Sequence, residues 1–258
     1  MLVLLPPSET KARATRGSAT RLAELSFPEL TATRAQVRAA LVASSLAPDA
    51  LNLLGVPPSL GAEVTANALV ASAPSRPARE VYTGVLYDAL AFAQLDAAAR
   101  RRANARLLIV SALYGAVRPG DRIAAYRLSM AVNLPEVGPL ARLWRPELAR
   151  ALPAAAGRGL IVDCRSSTYA AAWVPQGDLA RRWVAVRVPG ATHLAKHTRG
   201  LVARALCESA ADPRRPSALA ELLSDRFEVA LHAPARPGRP WVLDALERES
   251  SPVEPGPG

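Results

Sequence analysis

Leu107–Met130 reads LLIVSALYGAVRPGDRIAAYRLSM. It opens with an apolar run, Leu107–Val110, suited to a buried strand. The run then drops into Ser111, Tyr114, Gly115, Arg118, Pro119, Asp121, Tyr126 and Arg127. Hydroxyls, a carboxylate and guanidiniums finish a core badly and line a polar pocket well. The pattern occurs twice more. Leu2–Leu5 leads into Pro6-Pro7-Ser8-Glu9-Thr10-Lys11, and Leu160–Val162 leads into Asp163-Cys164-Arg165-Ser166-Ser167-Thr168-Tyr169. Three apolar runs with this ending predict neighbouring strands of one sheet, because open α/β sheets gather ligands beyond the carboxyl ends of their strands. Taken singly, each loop also reads as an ordinary cap for the helix that follows.

Around these strands the pattern is helical up to Arg79. Helices are expected over Glu29–Ser45, Asp49–Leu54 and Leu60–Ala71, with Pro28 and Pro48 at their openings. Pro74–Pro77 reads as a linker, and Gly84–Ala93 and Asp96–Ala105 as helices, the second capped by Asp96. A helix from about Leu140 to Leu152 precedes the Leu160 strand, and the alternating Arg182–Val188 is a further strand. Thr198–Glu208 and Ala218–Ser224 are expected as helices. Phe227–Leu231 and Trp241–Leu246 are expected as two strands around a Pro/Gly turn. The expected architecture is one mixed α/β domain over residues 1–248, with a helical hairpin in its N-terminal third. Residues 249–258, polar and Pro/Gly-rich, are expected to be a disordered tail. The strands are too few and too irregularly spaced for an eight-stranded barrel.

The 258 residues are half apolar and 21% charged, the balance of a globular protein. No apolar run has the ~18 residues of a membrane span, and the opening MLVLL lacks a basic leader. Two cysteines are too few for a disulfide framework, which favours a reducing cytoplasm. The net charge is +10, carried almost wholly by arginine, since Lys11 and Lys196 are the only lysines. Such a balance suits a nucleic acid or another polyanion, although the basic residues are scattered and compositional bias also favours arginine.

The two lysines are singled out for that reason: an ammonium is a compact donor whose pKa moves on burial. Lys196 lies in Gly190–Gly200, where His193, Lys196, His197, Thr198 and Arg199 crowd the start of a helix. With Thr198 as N-cap, the free N–H groups of the first turn form an anion site with Lys196 and Arg199 beside it. His193 and His197 have the spacing of a zinc pair but no glutamate between them, so no metal is expected. Cys164 beside Arg165 admits a thiolate reading, against which stands the ordinary burial of cysteines after strands. Leu51–Ala62 reads as helix, tight turn, helix; Pro57 removes an N–H that a phosphate-gripping hairpin needs. No Walker A loop, dinucleotide fingerprint or nucleophile elbow is present, and no cofactor is expected.

The segments LLPPSETK, YTGVLYDAL (Tyr82–Leu90), SALYGAVRPGDRIAAYRLSM, VDCRSSTYAAAW (Val162–Trp173) and THLAKHTRGLVARAL (Thr192–Leu206) resemble, in order and spacing, the YaaA peroxide-stress protein family, in an arginine-rich actinobacterial form. The resemblance runs from Met1 to about Leu246. It implies a cytoplasmic α/β protein of the peroxide-stress response, with DNA binding and a helix–hairpin–helix attributed to the family. Its polar signature falls on Lys11, Tyr82, Gly84, Ser111, Tyr114, Gly115, Arg118, Pro119, Asp121, Tyr126, Arg127, Asp163, Ser166, Tyr169, Lys196 and Arg199. The Pro7–Lys11 opening departs from the Ser-Pro-Ala-Lys-Thr of many members.

The leading expectation is a peroxide-stress protein that meets double-stranded DNA on a basic surface; the alternative is an enzyme acting on a small anionic ligand, such as a nucleotide or phosphorylated metabolite, in a strand-end pocket. For an enzyme, the candidate catalytic residues are Lys11, Ser111, Tyr114, Asp121, Asp163 and Lys196. The candidate anion-binding residues are Arg118, Tyr126, Arg127, Ser166, Tyr169, Thr198 and Arg199.

Overall fold

The computed structural model describes residues 1–190 and 194–248; the expected tail and the run Ala191–His193 lie outside the described residues. The protein is built on a seven-stranded mixed sheet. In chain order the strands are β1 (Leu2–Leu5), β2 (Leu107–Ser111), β3 (Gly115–Val117), β4 (Ile161–Asp163), β5 (Trp183–Arg187), β6 (Phe227–His232) and β7 (Trp241–Glu247). Their order across the sheet is β6-β7-β5-β4-β1-β2-β3. The five inner strands are parallel, and β6 and β3 close the two edges antiparallel.

β1 sits between β2 and β4, with Val3 opposite Leu107 on one side and Val162 on the other. The three apolar runs are therefore adjacent, and they are buried along their whole length because helices cover both faces of a parallel sheet. From β1 the chain crosses to β2, then returns past β1 to β4. That reversal places a topological switch point at the ends of Leu5 and Asp163, where crossover loops diverge and leave a crevice.

The expected hairpin is present as α1 (Thr31–Leu46), α2 (Ala50–Leu54) and α3 (Gly61–Asn67). α4 (Val85–Leu90) and α5 (Ala97–Arg106) lead to β2, and Asp96 caps α5 by accepting from the Ala99 N–H at 2.7 Å. α6 (Leu140–Ala156) precedes β4, α7 (Leu194–Glu208) follows β5, and α8 (Pro216–Leu223) precedes β6.

Two sequence expectations are corrected. Residues 115–117 form an edge strand instead of open loop, with Ala116 paired to Val110. Gly115 makes that turn at φ +70°, and an added Cβ would lie 2.5 Å from the Trp144 ring. The second correction concerns α7, which is already helical at Leu194. Thr198 lies one turn inside it and is buried, so it caps nothing and offers no free first-turn N–H groups. Thr198 lies on a buried stripe with Val202 and Leu206, and that burial outweighs its capping preference.

Candidate functional site

A cavity of about 560 Å³ opens at the switch point, within the size range of small-molecule sites. The loop Pro6–Lys11 after β1 forms one side, and Cys164, Ser166, Thr168 and Tyr169 after β4 form another. Residues 83–87, the hairpin turn at Leu54–Val56, and the segment from Arg127 to Ala131 complete the wall, with Lys196 and Arg199 of α7 at the rim.

Lys11 is the centre of this site. Its Nζ donates to the Ser8 carbonyl at 2.7 Å and the Glu9 carbonyl at 3.3 Å. It lies 4.5 Å from the centre of the Tyr126 ring and 5.8 Å from that of Tyr82. Beneath it runs a buried hydroxyl chain. The Tyr126 hydroxyl meets Ser111 Oγ at 2.7 Å and the Tyr82 hydroxyl at 3.3 Å. Burial raises the pKa of both tyrosines well above 10, so they remain phenols at any physiological pH. Ser111 Oγ also accepts from the Tyr114 N–H at 3.0 Å, which fixes the turn after β2.

Burial lowers the Lys11 pKa from 10.5 to about 7, and the Arg127 charge adds to the drop while Glu63 and Glu9 oppose it. Between those two pH values the unfolded chain holds a proton here that the native chain has released. Stability therefore rises with pH from about 7 towards 10.5 and is lowest below 7. Lys11→Met keeps the stem and deletes the charge. It is expected to stabilise the protein by about 1–3 kcal/mol at pH 6, less than the full linkage value because two carbonyls solvate the ammonium. The gain should vanish near pH 10. Thermal unfolding across that range checks this, and an equal shift in Tm at both ends would mean an ordinary amine.

Glu9, which composition gave no reason to single out, organises the cations. Its carbonyl accepts from Lys11 and from Arg127 Nη1 at 3.3 Å, and its carboxylate meets Lys196 Nζ at 3.2 Å. Arg127 is held from behind by the buried Asn67 of α3. The Asn67 amide exchanges hydrogen bonds of 2.8 and 2.9 Å with the Arg127 backbone. Ser8 Oγ accepts from the Thr83 N–H at 3.1 Å, and the Tyr87 hydroxyl donates to the Pro6 carbonyl at 2.7 Å. These contacts lock the first loop against the Tyr82–Leu90 segment. Asn67 and Glu9 show no pattern of their own in the sequence, because their importance comes from partners 60 and 187 residues away.

The fold thus brings Lys11, Arg127, Ser166, Tyr169, Lys196 and Arg199 around one cavity, with Ser111 and Tyr126 beneath it. The other candidates lie elsewhere. Arg118 folds back to the opposite end of β2 and donates from Nη1 to the Ala105 and Leu107 carbonyls at 2.7 and 3.1 Å. Asp121 ties that turn together, accepting from the Arg118 N–H at 2.8 Å and from Ser26 N–H and Oγ at 3.1 and 2.9 Å. Asp163 is buried in a bidentate pair with Arg165, with Oδ1 2.8 Å from Nε and Oδ2 2.7 Å from Nη2. The Tyr114 hydroxyl donates to the Ala124 carbonyl at 3.2 Å, in the core. Each of these polar groups is hydrogen-bonded within the fold. Sequence position after a strand does not distinguish a side chain that faces the crevice from one that folds under it.

Cys164 touches the cavity, but burial pushes its thiol up to about 12 despite the opposing charge of Arg199. Such a thiol is a poor peroxide trap. Among the described residues, no group of three or more His, Cys, Asp or Glu is placed to hold a metal ion.

The hairpin turn has little to give a phosphate. The Gly55 N–H bonds the Asn52 carbonyl at 3.1 Å, the Val56 N–H bonds that of Leu51 at 3.0 Å, and Pro57 and Pro58 have none. Several arginines are likewise turned inward. Arg34, Arg102, Arg106 and Arg182 donate to backbone carbonyls, and Arg34 is fully buried while serving those of Tyr114, Ala116 and Ser26.

A family model described as peroxide stress protein YaaA matches residues 1–232. The chain belongs to this family. A UPF0246 protein of Streptomyces coelicolor is 48% identical over 258 residues, covering 96% of this chain and 99% of the relative. One from Corynebacterium efficiens is 40% identical over 231 residues, covering 86% and 90%. One from Ruegeria pomeroyi is 33% identical over 177 residues, covering 63% and 68%. The YaaA match spans β1 to β6 and so includes every element that contributes to the cavity. Among the described residues, no helix of this YaaA-family chain is long and apolar enough to cross a membrane.

Proposed function

We propose that this member of the YaaA family carries out its part in the peroxide-stress response through a small anionic ligand, such as a nucleotide or phosphorylated metabolite, bound in the switch-point cavity. The observation that supports this reading is the imbalance of charge around a partly open cavity. Lys11, Arg127, Lys196 and Arg199 border it, against Glu9 in its lining and Glu63, which pairs with Arg127 at 3.7 Å. Charges held at the edge of low-dielectric walls attract an anion more strongly than the same charges spread over an open face. The guanidiniums supply forks for carboxylate or phosphate oxygens, and the lysines supply point charges. Ser166, Thr168 and Tyr169 add hydroxyls for the neutral part of the ligand.

Duplex DNA is the weaker reading, because the hairpin N–H groups are already bonded and several arginines are turned inward. Native mass spectrometry of freshly purified protein is expected to retain a small anionic molecule. Titration calorimetry with inorganic pyrophosphate is expected to show binding that Arg127→Gln weakens about 10- to 100-fold, the value of a charge-assisted hydrogen bond of roughly 1.5–3 kcal/mol. Arg100→Glu, on the exposed face of α5, should leave it unchanged. No pyrophosphate binding, together with tight salt-dependent binding of a duplex that Arg100→Glu abolishes, would reverse the assignment.

A further inference from the structure

We propose that Lys11 is a covalent capture group, and that the ligand class of the cavity is an anionic aldehyde or ketone condensing with the Lys11 amine to form an imine. This rests on the anion-pocket reading above and goes one step beyond it, from binding to bond formation.

The geometry around Nζ carries the inference. The Ser8 and Glu9 carbonyls, at 2.7 and 3.3 Å, are the two oxygen acceptors of Nζ, and the Tyr126 ring face lies 4.5 Å away. A neutral amine places both of its protons on those carbonyls and keeps a lone pair for an electrophile. The ring of Tyr126 packs against the nitrogen, and Lys11 lines the cavity. Arg127, Lys196 and Arg199 then stand where the anionic end of the ligand would be gripped. That positions a carbonyl carbon against a fixed nitrogen, the arrangement that turns a bimolecular condensation into an intramolecular one.

The Lys11 pKa of about 7 agrees with this geometry, since it leaves much of the amine unprotonated near neutrality. The buried phenols of Tyr126 and Tyr82 stay protonated and linked to Ser111, which makes them donors and not bases. In the reaction a C–N bond forms first, giving a carbinolamine. The C–O bond then breaks, and the oxygen departs as water carrying both amine protons. No oxidant, reductant or further reactant is needed.

The chain makes the test unusually clean, because Lys11, Lys196 and the N-terminus are its only primary amines. The N-terminal ammonium is already paired with Asp212 at 2.8 Å. Full-length protein would be incubated with pyridoxal 5′-phosphate, reduced with borohydride, and mapped by peptide mass spectrometry. Pyridoxine 5′-phosphate, the same anion without the aldehyde, would be titrated in parallel.

The expected result is one adduct, on Lys11, retained in Arg100→Glu, lost in Lys11→Arg and suppressed by pyridoxine 5′-phosphate. Its rate should rise about 10-fold from pH 6 to 8 and then level off, as for an amine titrating near 7. An ordinary lysine would continue to rise by about 10-fold per pH unit. Circular dichroism of Lys11→Arg separates loss of the amine from loss of the fold. Should that variant unfold, the adduct's position and pH profile in the wild type decide alone. Labelling mainly on Lys196 or the N-terminus, or no labelling while pyridoxine 5′-phosphate binds, would overturn covalent capture and leave the anion pocket standing. Absence of binding by both compounds would remove the pocket reading as well.

Discussion

Asp163→Asn is expected to cost about 3–5 kcal/mol of stability, the usual penalty for stripping a buried charge of its partner. In a chain of this size that lowers Tm by roughly 6–20 °C. Both side chains of the pair are almost wholly inaccessible, at 3% for Asp163 and 0% for Arg165. The Asp163 carboxylate accepts four hydrogen bonds, from the Arg165 N–H, Nε and Nη2 and from Trp183 Nε1 at 3.0 Å. An amide in its place points two donors at donors and leaves the guanidinium uncompensated. Arg165 in turn donates to the Trp173 carbonyl at 2.9 Å and the Tyr169 carbonyl at 3.3 Å. The pair therefore shapes the loop that carries Ser166 and Tyr169 into the cavity. Calorimetric unfolding of Asp163→Asn checks the expectation. A variant with wild-type Tm but no activity would instead make Asp163 a chemical participant.

Gly200→Ala should destabilise by about 2–3 kcal/mol, although alanine is favoured over glycine inside a helix by roughly 0.5–1 kcal/mol. α7 crosses α4 at this residue. An added Cβ would sit 2.2 Å from the Leu86 carbonyl oxygen and 2.8 Å from Ala89 Cβ. Those are backbone and short side-chain atoms that have no rotamer by which to move aside. Relief requires the two helices to separate, and both line the cavity, α4 through Val85–Tyr87 and α7 through Lys196 and Arg199. Anion affinity is accordingly expected to fall with stability. Denaturant unfolding and pyrophosphate titration of the same variant provide both readings. A more stable Gly200→Ala would mean that the helices have room, and that helix propensity governs the site.

How much of this was legible beforehand depends on the range of the interaction. The three strands, the cap at Asp96 and most helix positions follow from local rules, because apolar runs, capping side chains and proline act within a few residues. Thr198 shows the limit of that reasoning, since a good N-cap residue sits inside a helix once its side chain is buried with Val202 and Leu206. Even the family motifs divide. Tyr82, Ser111 and Tyr126 meet beneath the cavity, whereas Arg118 and Asp121 lock a turn at the other end of β2.

Local patterning was enough to place buried strands ahead of polar loops and to set two lysines apart from an arginine-rich background. Which polar residues face the crevice was settled by the folded chain. Strand periodicity fixes the face of a residue in the sheet but not the path of the loop beyond it. The fold also decided that Arg34, Arg102 and Arg106 bind backbone carbonyls, although their charges count equally in the net +10. Glu9 and Asn67 gained their roles in the same way. Their contacts to Lys196 and Arg127 span 187 and 60 residues and exist only once the sheet has closed the loops together.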